Sequence, residues 1–202
     1  MVQLPLARAY IIGPVFILLI GFICWIASPW SFDHLAYQRE AVIQGQWWRL
    51  ISANLTHSNF MHLGLNALGV FTIWALYGDE YKTRKYFTLI VVFSLACTVS
   101  MHFLNPERIN YVGLSGVLHG LFAWGVIQDI NRRYITGWLL LIGLTIKIVH
   151  EQLQGGSAEI ALLIEARVAT EAHLYGTIAG LITGLWDVYK SRTRASSPVS
   201  PH

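Results

Sequence analysis

The feature that most constrains this chain is a series of long apolar runs, each close to the length that crosses a bilayer as a helix. They cover approximately residues 9–28, 60–77, 86–104, 115–128, 134–149 and 169–189. About 20 apolar residues make one span, because lipid leaves backbone polar groups to be satisfied within the helix. Composition agrees: 54% of the 202 residues are hydrophobic and 12% are charged, against roughly 25% charged in a soluble domain. One aqueous core would not hide that much apolar surface. The length suits a single bundle without a second domain, over residues 1–190. The expectation is an all-α integral membrane protein with six transmembrane helices. The first run exceeds a signal peptide's apolar region and others follow it, so it reads as an uncleaved span. Residues 191–202, with Ser, Arg and Pro, read as a disordered cytoplasmic tail.

Charge sets the expected orientation. Basic clusters fall at Lys82, Arg84 and Lys85, at Arg132 and Arg133, and at Lys190, Arg192 and Arg194. With six spans these share one side, which the positive-inside rule makes cytoplasmic together with both termini. The net charge of +3 is thereby explained without a nucleic-acid partner. Cys24 and Cys97 lie in apolar runs and form no disulfide framework. No phosphate loop or zinc-type spacing occurs, so no metal or cofactor is expected. Residues 29–54 hold the run Gln46-Trp47-Trp48-Arg49. Such aromatic, mixed-polarity sequence favours the membrane interface and reads as an outer loop, with Trp47 and Trp48 as bilayer anchors.

Polar residues inside a span are costly and ask for a reason. Spans two, four and six carry them: His62 and Asn66, Ser115 and His119, and His173. Each of these spans also ends near an acidic residue, Asp79, Asp129 or Asp187. Ser115 and His173 both lie 14 residues before their aspartate, and Asn66 lies 13 before its own. At about 1.5 Å per residue this puts the three in one layer, below the outer membrane surface. A serine hydroxyl with a histidine base is the minimum for acyl transfer. No acidic residue is expected at that depth, so a Ser115–His173 dyad is read rather than a triad. Ser115 also opens span four, where free N–H groups favour a developing oxyanion, and Asn66 and His62 can add donors. Gly116 and Gly120, and Gly176, Gly180 and Gly184, recur every four residues, which lets two helices approach closely in lipid. The short fourth span makes residues 105–114 dip toward a hydrated cavity.

His119, one turn after Ser115, is a rival base on the same face. His57 reads as interfacial or supporting, and His102 and His150 as interfacial. Glu151, Glu159, Glu165 and Glu171 read as a solvated acidic loop, with Gly155-Gly156 as a hinge for a lid.

Several segments resemble the rhomboid intramembrane proteases. Gly113-Leu114-Ser115-Gly116 resembles their G-x-S-G motif, and Ala172-His173-x-x-Gly176-x-x-x-Gly180 their last-helix histidine motif. His57, His62 and Asn66 match their second-helix pattern, and Trp48-Arg49 their first-loop pair. The resemblance spans about residues 45–190. It implies Ser115 as nucleophile, His173 as base, and His62, Asn66 and the Ser115 N–H as oxyanion hole. Gly113, Gly116, His119, Gly176 and Gly180 would support them. One departure is His119, where many members have an aromatic residue beneath the histidine.

The octapeptide Gly113–Gly120 and the Tyr77-Gly78-Asp79-Glu80 segment look most like the rhombosortase branch. That resemblance implies a bacterial inner-membrane enzyme whose site opens to the periplasm. Its substrates would carry a C-terminal Gly-Gly motif, an apolar helix and a basic end. Water or an amine would be the acyl acceptor. Two other readings stay open: an inactive rhomboid-like protein that binds transmembrane helices, and a haem or transport protein using its histidines.

Overall fold

The computed structural model describes residues 4–196. Helix α1 (Arg8–Ile26) leads into a connecting segment of α2 (Trp30–Leu35), strand β1 (Tyr37–Gln38), α3 (Arg39–Ile43) and α4 (Arg49–Ser52). Then come α5 (Phe60–Tyr77), α6 (Thr83–Leu104), strand β2 (Asn110–Tyr111), α7 (Ser115–Asn131), α8 (Ile135–Gln154), α9 (Ala158–Ile164) and α10 (Thr170–Ser196). By length and composition, α1, α5 with the turn after it, and α6 can cross a membrane. Helix α7 is shorter, and α8 and α10 carry charged residues within their lengths.

Helix α7 forms the centre. Ten of its 17 residues are buried, among them Val117, Leu121, Trp124 and Val126. By contrast, α1 buries five of 19, including Ile17 and Cys24. Large apolar side chains such as Phe16, Leu68, Phe71, Leu139 and Ile182 point outward from the long helices. In water such a surface would aggregate; against lipid it costs nothing.

Glycine sets how closely α7 meets α10. A methyl group added at Gly176 would overlap the Gly116 carbonyl, and one at Gly180 the Gly120 carbonyl. Backbone therefore touches backbone along this seam, in keeping with the four-residue spacing in sequence.

The expected ends of two helices need correction. The fifth long helix does not stop at residue 149 but runs to Gln154, where Gly155 ends it at φ +82°. Glu151 is thus helical, not part of a loop. The tail expected from Ser191 is helical as far as Ser196, because α10 continues; residues 197–202 lie outside the described residues.

The segment from α2 to α4 is built around a buried cation. The Arg49 guanidinium donates to the Ala36 carbonyl at 2.6 Å and the Asp33 carbonyl at 2.7 Å, and its Nε to Gln46 Oε1 at 2.7 Å. Trp47, 70% exposed, and Trp48 remain on the surface, as bilayer anchors would. Strands β1 and β2 pair antiparallel, Tyr37 opposite Tyr111 and Gln38 opposite Asn110. This ribbon ties the α2–α4 segment to the loop that delivers Ser115. Tyr175 Oη donates to Asn105 at 2.7 Å, and Arg108 pairs with Glu171, fixing the same loop to α10. Glu171 is therefore a buried partner of Arg108, not the solvated residue expected.

Candidate active site

Three long helices begin at one end of the bundle, and each brings polar groups there. Ser115 is the first residue of α7, His173 the fourth of α10 and His62 the third of α5. Ser115 Oγ lies 2.9 Å from His173 Nε2. The layer inferred from counting back to Asp129 and Asp187 is thus a direct contact between neighbouring helices. The glycine seam makes it feasible, since a bulkier seam would hold the two side chains apart.

His173 is held on two further sides. Its Nδ1 lies 2.9 Å from Glu151 Oε2. The other carboxylate oxygen meets Lys147 Nζ at 2.7 Å, one turn earlier on α8. His119 lies flat against the imidazole, ring centroids 4.1 Å apart and planes 17° from parallel. The His119 Nδ1 is 2.7 Å from the Ser115 carbonyl. His119 therefore packs under His173 as an aromatic would, and does not sit where a rival base must.

The nucleophile's approach is shaped by Gly113. Its φ of +118° belongs to the region that favours glycine. Its N–H donates to the Ala53 carbonyl at 3.0 Å, and Tyr111 Oη donates to its carbonyl at 2.6 Å. A Cβ here would sit 2.5 Å from His62 Nε2, so the His62 ring reaches the turn just before Ser115. His57, buried, meets His62 edge to face at 5.1 Å.

Asn66 Nδ2 donates to the His62 carbonyl at 3.1 Å and has a second N–H to offer. Ser58 gives its proton to the Ile164 carbonyl at 2.5 Å, so it accepts from His62 Nδ1 at 3.0 Å. In the neutral ring this leaves Nε2 without a proton. Asn59 Nδ2 reaches the Leu163 carbonyl at 2.9 Å. Together these bonds tie the end of α9 to the start of α5.

Ser115, His173, His62, Asn66 and Glu151 all line one cavity of about 920 Å³. Most of its remaining wall is apolar, including Leu65, Leu118, Phe122 and Leu144. It lies between α5, α7 and α8, with α9 beside it. His102, near the end of α6, bonds Tyr37 Oη at 2.9 Å, away from the cavity.

His119, Glu151 and His173 bring ligand-type atoms within 4.8 Å of one another. The donor set does not suit a metal. Both His173 nitrogens are engaged, and the two rings are stacked, so their in-plane lone pairs do not converge.

Glu151 is the group that sequence reasoning missed. Ending the helix at residue 149 removed it from consideration. A signal was present: Leu144, Ile148 and Glu151 follow the i, i+4, i+7 spacing of one helix face, and Leu144 and Ile148 are buried.

The helical fold with its outward apolar side chains suits a membrane protein, and Ser115 meets His173 inside its cavity. The rhomboid domain model matches residues 44–190. The chain is 24% identical over 190 residues to YdcA of Bacillus subtilis (strain 168), a candidate rhomboid protease, covering 89% of this chain and 90% of that one. It is 27% identical over 158 residues to RHOMBOID-like protein 5 of Arabidopsis thaliana, covering 74% of this chain and 47% of the plant protein. The chain belongs to the rhomboid family. Members are generally intramembrane serine proteases acting on transmembrane substrates, and some are inactive.

Proposed function

We propose that this protein is an intramembrane serine endopeptidase, with Ser115 as nucleophile and His173 as general base. The observation that carries this reading is the 2.9 Å contact between Ser115 Oγ and His173 Nε2 inside a cavity. An inactive helix-binding protein would have no need of that pairing.

The steps follow from the geometry. Ser115 Oγ attacks the scissile carbonyl while its proton passes to His173 Nε2. The tetrahedral oxyanion lies at the start of α7, where the first N–H groups have no partner within the helix. The Ser115 N–H and the second N–H of Asn66 face it. His62 joins them in its other tautomer, in which Nδ1 has lost its proton to water and Nε2 has gained one from water, with the Ser58 hydroxyl turned from Ile164 to donate to Nδ1. Collapse breaks the C–N bond, and the leaving amine takes the proton from His173. The remaining acyl ester on Ser115 is released by water or by an amine acceptor.

In this reading the six long helices span the membrane with both ends cytoplasmic. Basic residues at Lys82–Lys85 and Arg132–Arg133 support that orientation. The site then opens to the periplasm of a bacterial inner membrane. Residues 113–120 and 77–80 favour the rhombosortase branch. The substrate would then be a single-span protein with a C-terminal Gly-Gly, an apolar helix and a basic tail.

The test is labelling with a fluorophosphonate serine probe, alongside cleavage of such a substrate in liposomes. The wild type is expected to label and cleave, and Ser115→Ala to do neither while keeping its thermal transition. Undiminished cleavage by Ser115→Ala would end the proposal.

A further inference from the structure

We infer that Glu151 is a positioning residue for His173, selecting its tautomer and holding its charge during the reaction. The inference rests on the Ser115–His173 reading and adds a third helix, α8, to the machinery.

A continuous chain of contacts crosses three helices. Lys147 Nζ meets Glu151 Oε1 at 2.7 Å, Glu151 Oε2 meets His173 Nδ1 at 2.9 Å, and His173 Nε2 meets Ser115 Oγ at 2.9 Å. Both carboxylate oxygens are engaged, so Glu151 is fixed in place. Its side chain is 13% exposed, which leaves water little room to compete.

A neutral imidazole carries one N–H, and its position decides whether the ring serves as a base. An ionised carboxylate only accepts, so Glu151 keeps the proton on Nδ1. Nε2 then presents its lone pair to the Ser115 hydroxyl. When that proton arrives, the ring becomes an imidazolium with a carboxylate already bonded to it. The serine proton goes no further than His173, and Glu151 stays ionised.

No neighbour duplicates this role among the described residues. His119 from α7 stacks face to face and fixes the plane of the ring. A stacked ring offers no in-plane acceptor, so it cannot choose the tautomer. His62 from α5 lines the same cavity but is directed at Gly113. Lys147, on α8 itself, reaches the ring only through Glu151. Glu171, on the same helix as His173, is paired with Arg108. The plane is thus set by one helix and the proton by another.

The test uses the full-length protein in liposomes, with kcat and KM for a transmembrane substrate measured across pH. In Glu151→Gln the amide can turn its N–H₂ to the ring and favour the wrong tautomer. Its kcat is expected to fall by about 10²- to 10⁴-fold with KM nearly unchanged, the upper figure being that for amide replacement in a soluble triad. Glu151→Asp should recover part of the loss.

The pH profile separates positioning from mere packing. Without the carboxylate the imidazolium is less stable, so the acid limb of kcat/KM should move to lower pH. A packing role alone would lower the thermal transition and leave that limb in place. Wild-type kcat and an unmoved limb in Glu151→Gln would overturn the inference. Should Ser115→Ala also retain activity, the site reading itself falls; should it be inactive, the failure belongs to Glu151 alone.

Discussion

The two ends of the bundle use similar residues for different work. At the far ends of α5, α7 and α10, Asp187 meets Lys85 at 3.0 Å and accepts from Trp124 Nε1 at 2.9 Å, and Arg132 pairs with Glu80. There each cation meets a carboxylate and the ion pairs hold the helix ends together. At the end where those helices start, Lys147 and Glu151 also pair, but the second carboxylate oxygen is spent on His173 and hence on Ser115. What differs is an imidazole placed after the ion pair. The hydroxyl it meets borders a cavity of about 920 Å³, whereas Lys85, Asp187, Arg132 and Glu80 line no part of it.

That contrast can be broken most severely at His173. His173→Ala removes the base and should lower kcat for cleavage by a factor on the order of 10³ or more. The thermal transition measured in the same detergent should change little. Asn66→Ala strips one oxyanion donor and should cost about 10²–10³ in kcat, read in the same cleavage assay. The seam comes next. Gly176→Leu forces a side chain into the Gly116 carbonyl and should cost about 1–3 kcal/mol in unfolding. It should also reduce serine-probe labelling, because Ser115 and His173 no longer meet. Smallest is the opposite end. Lys85→Met breaks a partly exposed ion pair with Asp187 and should cost under about 1 kcal/mol, with kcat untouched. A large loss of activity there would erase the distinction between the two ends.

Much of the site was legible because membrane burial makes polar residues conspicuous. His62, Asn66, Ser115 and His173 stand out in apolar runs, and equal spacing from Asp129 and Asp187 put Ser115 and His173 at one depth. The glycines at 116, 120, 176 and 180 announced a close seam for the same reason: small side chains have few other uses there. Glu171 was not legible, and Glu151 only as far as the helix face it shares with Leu144 and Ile148. Both lie where the apolar signal fades, and a carboxylate near a helix end has the same sequence appearance whether it faces water or a buried imidazole. Arg49 was hidden in the same way, since its three acceptors include two backbone carbonyls, Ala36 and Asp33, that leave no mark on residue type.

The sequence by itself determined the helical membrane class, the shared level of Ser115 and His173 and the two helices that meet along glycine. Those follow from periodicity and from the cost of placing polar atoms in lipid, which act one helix at a time. Only the tertiary structure decided which nitrogen of His173 faces Ser115, what holds the other, and that His119 lies beneath the ring. Such choices depend on how one helix is rotated against another, and rotation is set by the sum of many side-chain contacts rather than by any local pattern.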